Sequence, residues 1–207
     1  MEIADIINNV NVYGFEESIR GAKFPMATDV NKLNSELTKG IYNLGMCEGG
    51  TGHCTWLTGV IVHFDLTFTV KAWTEAERYH FLEFVSSQST MHRITRFDLD
   101  KAYIEYVDPR IIEIMKEKVA EYNALVAQAE ESNNSVKDGI TQKYLEILYN
   151  NPCGCKLTAR MVTNYLQLKT IYKQRKNHRL PEWRTFCRWL ETLPHSEFIT
   201  GVDKNAG

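Results

Sequence analysis

The stretch from Arg78 to Arg93, RYHFLEFVSSQSTMHR, collects many of the side chains in this sequence that could do chemistry. It opens on Arg78, Tyr79 and His80 and passes through Phe81, Leu82 and Val85 at helical spacing. It then breaks into Ser86, Ser87, Gln88 and Ser89, and closes on His92 and Arg93. Short polar side chains compete for backbone hydrogen bonds and so favour helix ends and turns. A buried helix opening into such a cluster, with cations on both sides, makes an anion-binding corner. An amphipathic helix ending in an ordinary polar loop fits the same residues.

Asn164 and Arg175 stand eleven residues apart, close to three helical turns. With Leu168 and Ile171 between them they share one helix face, so both polar groups can point at one groove. There Arg175 can polarise a carbonyl or hold a phosphate; in the basic run KQRKNHR it also reads as a solvated cation. His53 follows Gly50 and Gly52 in GTGHCT, where a loop imidazole beside free N–H groups suits a cofactor edge or a purely structural role. Cys47/Cys54 and Cys153/Cys155 lack the usual zinc-knuckle spacing and read as free thiols rather than metal ligands. No phosphate-binding glycine loop, HExxH or GxSxG is present.

These residues need elements to position them. The clearest strand is Thr58 to Thr69, with Val60, Val62, Phe64, Leu66 and Phe68 on one face and His63 and Asp65 on the other. A shorter strand, VNVYG (10–14), precedes a helix in EESIRGAKFP that Pro25 stops, and a second helix is expected around Asn31 to Tyr42. Thr74 with Glu77 has capping-box spacing for the central helix. A long amphipathic helix runs from Pro109 through Val126. The polar residues 130–139 then read as a variable loop. A helix from Ile140 to Tyr149, a strand in KLTARMVT, and a helical pair (Tyr165 to about His178, Pro181 to Leu193) complete the chain, with Pro181 in a first-turn position.

Composition sets the frame. At 207 residues, 43% hydrophobic and 11% aromatic, the chain has the makings of one globular domain. A net charge of −2 gives no reason to expect a nucleic-acid or membrane surface. The run KQRKNHR is a short basic stretch with no stacking platform behind it. No apolar run spans a bilayer, MEIADIINN lacks signal-peptide character, and five cysteines without such a signal point to reduced thiols in a cytoplasm.

Placed in chain order, these pieces resemble the flavin-dependent thymidylate synthase (ThyX) family. That family carries Ser-x-x-Arg-Ala-Ala-Arg near its start; here Ser18, Arg20, Ala22 and Lys23 lie in SIRGAK. Its Gly-His-Glu-Thr turn precedes a long strand, as Gly52-His53-Cys54-Thr55 precedes Val60 to Phe68. Its signature of Arg-His-Arg, seven residues, then Ser is matched by Arg78-Tyr79-His80 and Ser89, with one residue more before the serine. Its C-terminal helix opens on Asn and carries Arg eleven residues later, like Asn164 and Arg175. The likeness covers about residues 10–185. It departs at His80, which replaces the second signature arginine, in the missing Asn-Glu, and at Met91, where a phosphate-binding arginine is replaced and Arg93 is the nearest substitute. Arg160 is close to the position of another phosphate arginine but falls on a strand.

The resemblance implies an α/β fold: a twisted, mostly antiparallel sheet flanked by helices, with a C-terminal helical pair. It also implies a homotetramer with FAD and nucleotide sites between subunits. Its chemistry is reductive methylation of dUMP with methylenetetrahydrofolate and NADPH, in which the protein positions and polarises. By position, Arg175 would polarise the uracil. His53, Thr55 and Asn164 would border the flavin, and Arg78 and His80 would meet FAD phosphate or ring edges. Ser87, Gln88, Ser89, Arg93 and Arg160 would take the nucleotide. A flavoenzyme acting on another pyrimidine nucleotide, and a non-catalytic nucleotide- or protein-binding module on the same fold, are the alternatives.

Overall fold

The structure is a computed structural model that describes residues 1–132 and 137–202. The elements are α1 (Ile3–Ile6), β1 (Ile7–Tyr13), α2 (Phe15–Ala22), α3 (Lys39–Met46), β2 (Ile61–Thr69), α4 (Val70–Ala76) and β3 (Glu83–Ser87). There follow α5 (Thr90–Arg93), α6 (Pro109–Ser132), α7 (Lys137–Asn150), β4 (Lys156–Asn164), α8 (Tyr165–Arg175), α9 (Pro181–Leu190) and α10 (Glu197–Thr200). No described helix is long and apolar enough to cross a membrane.

The expected α/β class and antiparallel sheet are both present, as four strands in the order β1-β2-β4-β3. The alternation in β2 places Val62, Phe64, Leu66 and Phe68, with Val60 just before the strand, wholly out of solvent. His63 and Asp65 lie on the opposite, half-buried face. β1 pairs antiparallel with β2, with a register shift between Asn8 and Asn11. Asn9 adopts φ 51° within that irregularity, and its carbonyl accepts from Arg160 at 2.8 Å. At the β2 start, Val60 O accepts from Tyr165 N at 3.0 Å.

The central segment departs from expectation. The helix comes earlier, as α4, and its cap is Thr69, whose hydroxyl accepts from Ala72 N at 3.1 Å; Thr74 lies inside the helix. Residues 78–82 are turn, and Glu83–Ser87 is an edge strand exposed along its whole length. Leu82 is buried, but Phe81 and Val85 are 63% and 60% exposed. Three apolar residues are too few to separate the helical from the extended period, and Phe84-Val85 has the composition of a strand. The helix expected at Asn31–Tyr42 is instead a tight turn at Val30–Lys32, capped by Asp29, followed by α3, capped by Thr38. Short side chains that accept from backbone N–H groups set both starts. Of residues 130–139, α6 includes the first three and α7 begins at Lys137; 133–136 lie outside the described residues.

The chain divides into two compact units. The first comprises Met1–Thr67, Glu75–Ser86 and Ala159–Gly207. Its core sets Phe64 against Trp189 and Phe186, with ring centroids 4.7 and 6.0 Å apart, and fully buries Tyr165, Leu168, Ile171 and Trp183. The second comprises Phe68–Thr74 and Ser87–Thr158, and its core joins Ile94, Leu99, Tyr103, Met115, Ile147 and Cys155.

In the first unit α2 meets the turn Thr55–Gly59 at very short range. A Cβ on Gly59 would lie 2.3 Å from Ser18 Oγ, and one on Gly14 (φ +81°) would lie 2.4 Å from Gly59 O. Gly59→Ala is therefore expected to lower stability by about 1–3 kcal/mol through overpacking. Ser18→Ala in the same chain should restore most of the loss, since the clash is with Oγ while Ser18 Cβ is 3.4 Å away. Urea unfolding of the single and double variants checks this; an unrecovered double variant would place the strain elsewhere.

Candidate functional site

Between α2 and the turn before β2 lies a cavity of about 850 Å³, lined by Ser18, Gly21, Pro25, Met26, Leu44, His53, Thr55 and Trp56 among others. His53 is exposed at its edge. Thr55 is anchored by its hydroxyl, which donates to Gly52 O at 2.7 Å. Trp56 Nε1 is buried and has no hydrogen-bond partner among the described residues. Gly45 keeps this wall thin: a Cβ there would come within 2.9 Å of both Trp56 and Phe198. Glu17 also borders the cavity, so its polar rim carries an acceptor as well as the imidazole.

Arg175 ends α8 on the side that buries Leu168 and Ile171. Unlike its exposed neighbours Lys173 and Lys176, its side chain is only 13% exposed, against 16% for its partner Glu75. Nη1 donates to Glu75 Oε2 at 2.8 Å and Nε to Tyr79 Oη at 2.7 Å; Tyr79 in turn donates to Gln174 Oε1 at 2.9 Å. The guanidinium lies 4.9 Å from the Trp183 ring centroid and 5.4 Å from that of Tyr79. His178 Nε2 stands 3.1 Å from the same Glu75 oxygen. Its Nδ1 accepts from Leu180 N at 3.2 Å, so the neutral ring carries its proton on Nε2 and donates to Glu75. Burial lowers the His178 pKa, with Arg175 and Arg184 pulling the same way and Glu75 opposing.

The other expected site residues are placed as follows. Asn164 caps α8, its Oδ1 accepting from Gln167 N at 2.9 Å. It and Arg175 thus stand at opposite ends of the helix, about 16 Å apart along the axis at the usual rise; the single groove expected for both is replaced by a cap and an ion pair. Arg160, on β4, donates to Asp65 Oδ1 at 3.1 Å as well as to Asn9 O. Asp65 is held below the usual carboxylate range chiefly by the Asn9 amide, with Arg160 adding to it. Arg78 and His80 are exposed in the turn around buried Tyr79. In the second unit Gln88 pairs twice with Thr158, N to O and Oε1 to N, both at 2.9 Å. Ser87 and Arg93 are exposed, and Ser89 precedes α5. Tyr144 fixes that corner by donating to Met91 O at 2.8 Å. Among the described residues no three His, Cys, Asp or Glu side chains are grouped to hold a metal ion.

No protein-family model and no curated protein sequence matches the chain. Solved structures do. A flavin-dependent thymidylate synthase ThyX from Helicobacter pylori, complexed with FAD and dUMP, superposes over 97% of both chains with a TM-score of 0.65 at 13% identity. A second H. pylori Thymidylate Synthase X (ThyX) structure with FAD and dUMP covers 93% of this chain and 96% of its own, with a TM-score of 0.64 at 12% identity. This is the ThyX fold. Within it, the stretches whose sequence resembles ThyX motifs fall on α2, the turn before β2, the turn before β3, and α8.

The side chains that hold Arg175 carry little signal in the sequence: Glu75 sits among the charged residues around Thr74 and Glu77, and Tyr79 between Arg78 and His80. Their four-residue separation was the available signal. Lys169 was also missed: Nζ donates to Gly45 O at 2.8 Å and Cys47 O at 2.5 Å, closing the end of α3, and burial pushes its pKa down.

Removing one partner of a mostly buried pair strands the other, so Arg175→Ala should cost about 3 kcal/mol of stability. Arg175→Lys should recover only part of this, because an ammonium lacks the planar fork that spans Glu75 and Tyr79. The network also sets a pH dependence. His178 titrates below its usual value of 6.5 in the native state, so the unfolded chain binds the extra proton first on acidification. Stability should be flat above that value and fall as pH drops through it toward the lower native pKa. Urea midpoints between about pH 8 and pH 5 should show this fall in the wild type and a smaller one in His178→Gln.

Proposed function

We propose that this protein is an FAD-dependent, thymidylate-synthase-like enzyme that reductively methylates dUMP using methylenetetrahydrofolate and NADPH, working as a homotetramer. The observation that carries the reading is the cavity bordered by His53, Thr55 and Trp56, on a fold whose solved examples are complexed with FAD and dUMP. The cavity suits a planar heteroaromatic group: Pro25, Met26, Leu44 and Trp56 supply apolar wall, and His53, Thr55 and Ser18 supply polar rim. Bound there, FAD would supply hydride transfer between NADPH and the one-carbon unit carried to the pyrimidine.

The chain's own residues then bind and orient. His53 and Thr55 border the flavin edge, with Asn164 contributing through its amide N–H groups, since its oxygen caps α8. Arg78 and His80, exposed in their turn, are available to phosphate. Arg175 presents a fixed N–H donor edge to a pyrimidine carbonyl and polarises it. Ser87, Gln88, Ser89 and Arg93 form the anion corner for a nucleotide phosphate, with Gln88 able to offer only its amide N–H groups because its oxygen is taken by Thr158. Arg160, tied to Asp65, serves the sheet first and the nucleotide only indirectly. One observation favours the second reading, a nucleotide-binding protein or a flavoenzyme on a different pyrimidine: Arg175 is already neutralised by Glu75.

The purified protein separates these. A bound yellow chromophore with a flavin spectrum, and tritium release or methyl transfer with dUMP, are the expected results; a colourless protein that ignores added FAD would leave the binding reading. Arg78→Ala should lose flavin affinity by one to two decades, the worth of a charge-assisted contact. Since Arg78 is exposed, its unfolding midpoint should stay at the wild-type value. Unchanged flavin affinity in that variant would remove the turn before β3 from the cofactor site.

A further inference from the structure

The guanidinium of Arg175 has five N–H donors, and the described residues take two of them. Nε goes to Tyr79 and one Nη1 hydrogen to Glu75. Nη2 has no partner among the described residues and is not among their buried, unpartnered polar atoms, so this edge faces solvent. The plane is fixed on its other sides. Trp183 lies across it at 4.9 Å, Tyr79 is itself anchored to Gln174, and Glu75 is held by His178 as well as by Arg175. Rotating the guanidinium would break two hydrogen bonds and take a mostly buried carboxylate away from this cation.

We propose that Glu75 is a positioning and specificity residue. It orients Arg175 so that only the Nη2 edge meets a ligand, and it cancels the charge of that edge so that a neutral carbonyl is accepted and a phosphate is not. This rests on the reading of Arg175 as a ligand-binding residue. The physical basis is the difference between a directional donor and a net charge. A carbonyl oxygen of a planar base can accept from Nη2 with the ion pair intact. A phosphate dianion gains little from a guanidinium already paired at 2.8 Å, unless it displaces Glu75, which breaks the hydrogen bond of a mostly buried ion pair. The site therefore reads the base through Arg175 and must find its phosphate donors elsewhere.

The test uses the purified full chain with FAD added, and calorimetry with deoxyuridine, dUMP and inorganic phosphate. Wild type should bind deoxyuridine and dUMP, and phosphate should not compete with deoxyuridine. Glu75→Gln keeps an oxygen for Nη1 and removes the negative charge. Deoxyuridine affinity should stay within about threefold, while phosphate becomes a competitor at least about fivefold stronger. Glu75→Ala frees the guanidinium and should weaken deoxyuridine about tenfold. If both Glu75 variants bind all three ligands as wild type does while Arg175→Ala loses deoxyuridine, Glu75 positions nothing and the role of Arg175 stands. If Arg175→Ala also matches wild type, or wild type binds neither deoxyuridine nor dUMP, the reading of Arg175 fails and this proposal fails with it. Should Glu75→Ala not fold, phosphate competition in Glu75→Gln decides alone.

Discussion

Five side chains at every second position from Val60 to Phe68 lose all contact with water, and this single alternation constrains the structure around it. Each such side chain contributes roughly 1.5–3 kcal/mol by burial. A one-residue slip would send the whole set to the other face, so the register of β2 is fixed. Asp65 is thereby placed where Asn9 and Arg160 can reach it, joining β1 and β4 on that face. With β4 set, the chain leaves it at Asn164, whose carboxamide starts α8 in a defined direction. Arg175 reaches its place because α8 begins there and because Leu168 and Ile171 bury the same side.

A buried cation then imposes its own conditions. The guanidinium must be met by an acceptor or a ring on each enclosed side, and Glu75, Tyr79 and Trp183 supply these from three different segments. That arrangement gives a rigid group with one open edge, the geometry that favours positioning over flexible capture. It also removes much of the field a bare cation would offer a developing anion. Structure and chemistry pull in opposite directions at this residue: the pair that orients Arg175 also weakens it electrostatically.

Much of this was legible in the residues because the signals were long. The β2 alternation, the long α6, the strand in KLTARMVT and the pair α8–α9 were all readable from periodicity and from Pro181. The central segment was not. RYHFLEFVSS carries too few apolar residues to fix a period, and the true helix stop at Ala76 and cap at Thr69 are set by packing rather than by a conspicuous motif. The candidate site divided in the same way. His53 as an edge residue and the buried side of α8 followed from local spacing, whereas Thr55 entered only through the family resemblance. The ion pair of Arg175 joins residues one hundred positions apart, and the assignment of Gln88 to strand pairing with Thr158 depends on a neighbour seventy positions away. Neither distance is visible to a local pattern.

The fold is shared with solved neighbours at 12–13% identity, and in this chain its tightest packing requirements concern volume. Around the cavity these requirements are absences of atoms. Gly59 lets Ser18 approach, Gly14 lets the chain turn at positive φ beneath Gly59 O, and Gly45 admits the rings of Trp56 and Phe198. A side chain at any of these positions would push one wall away from another, and close-packed interiors transmit such strain. Exposed positions such as His80 and Met91 carry no such packing constraint. A Cβ at these glycines would meet Ser18, the Gly59 carbonyl, or the rings of Trp56 and Phe198. The shape of the cavity is therefore held by close packing, while His53 and Thr55 at its edge are exposed and free of that constraint.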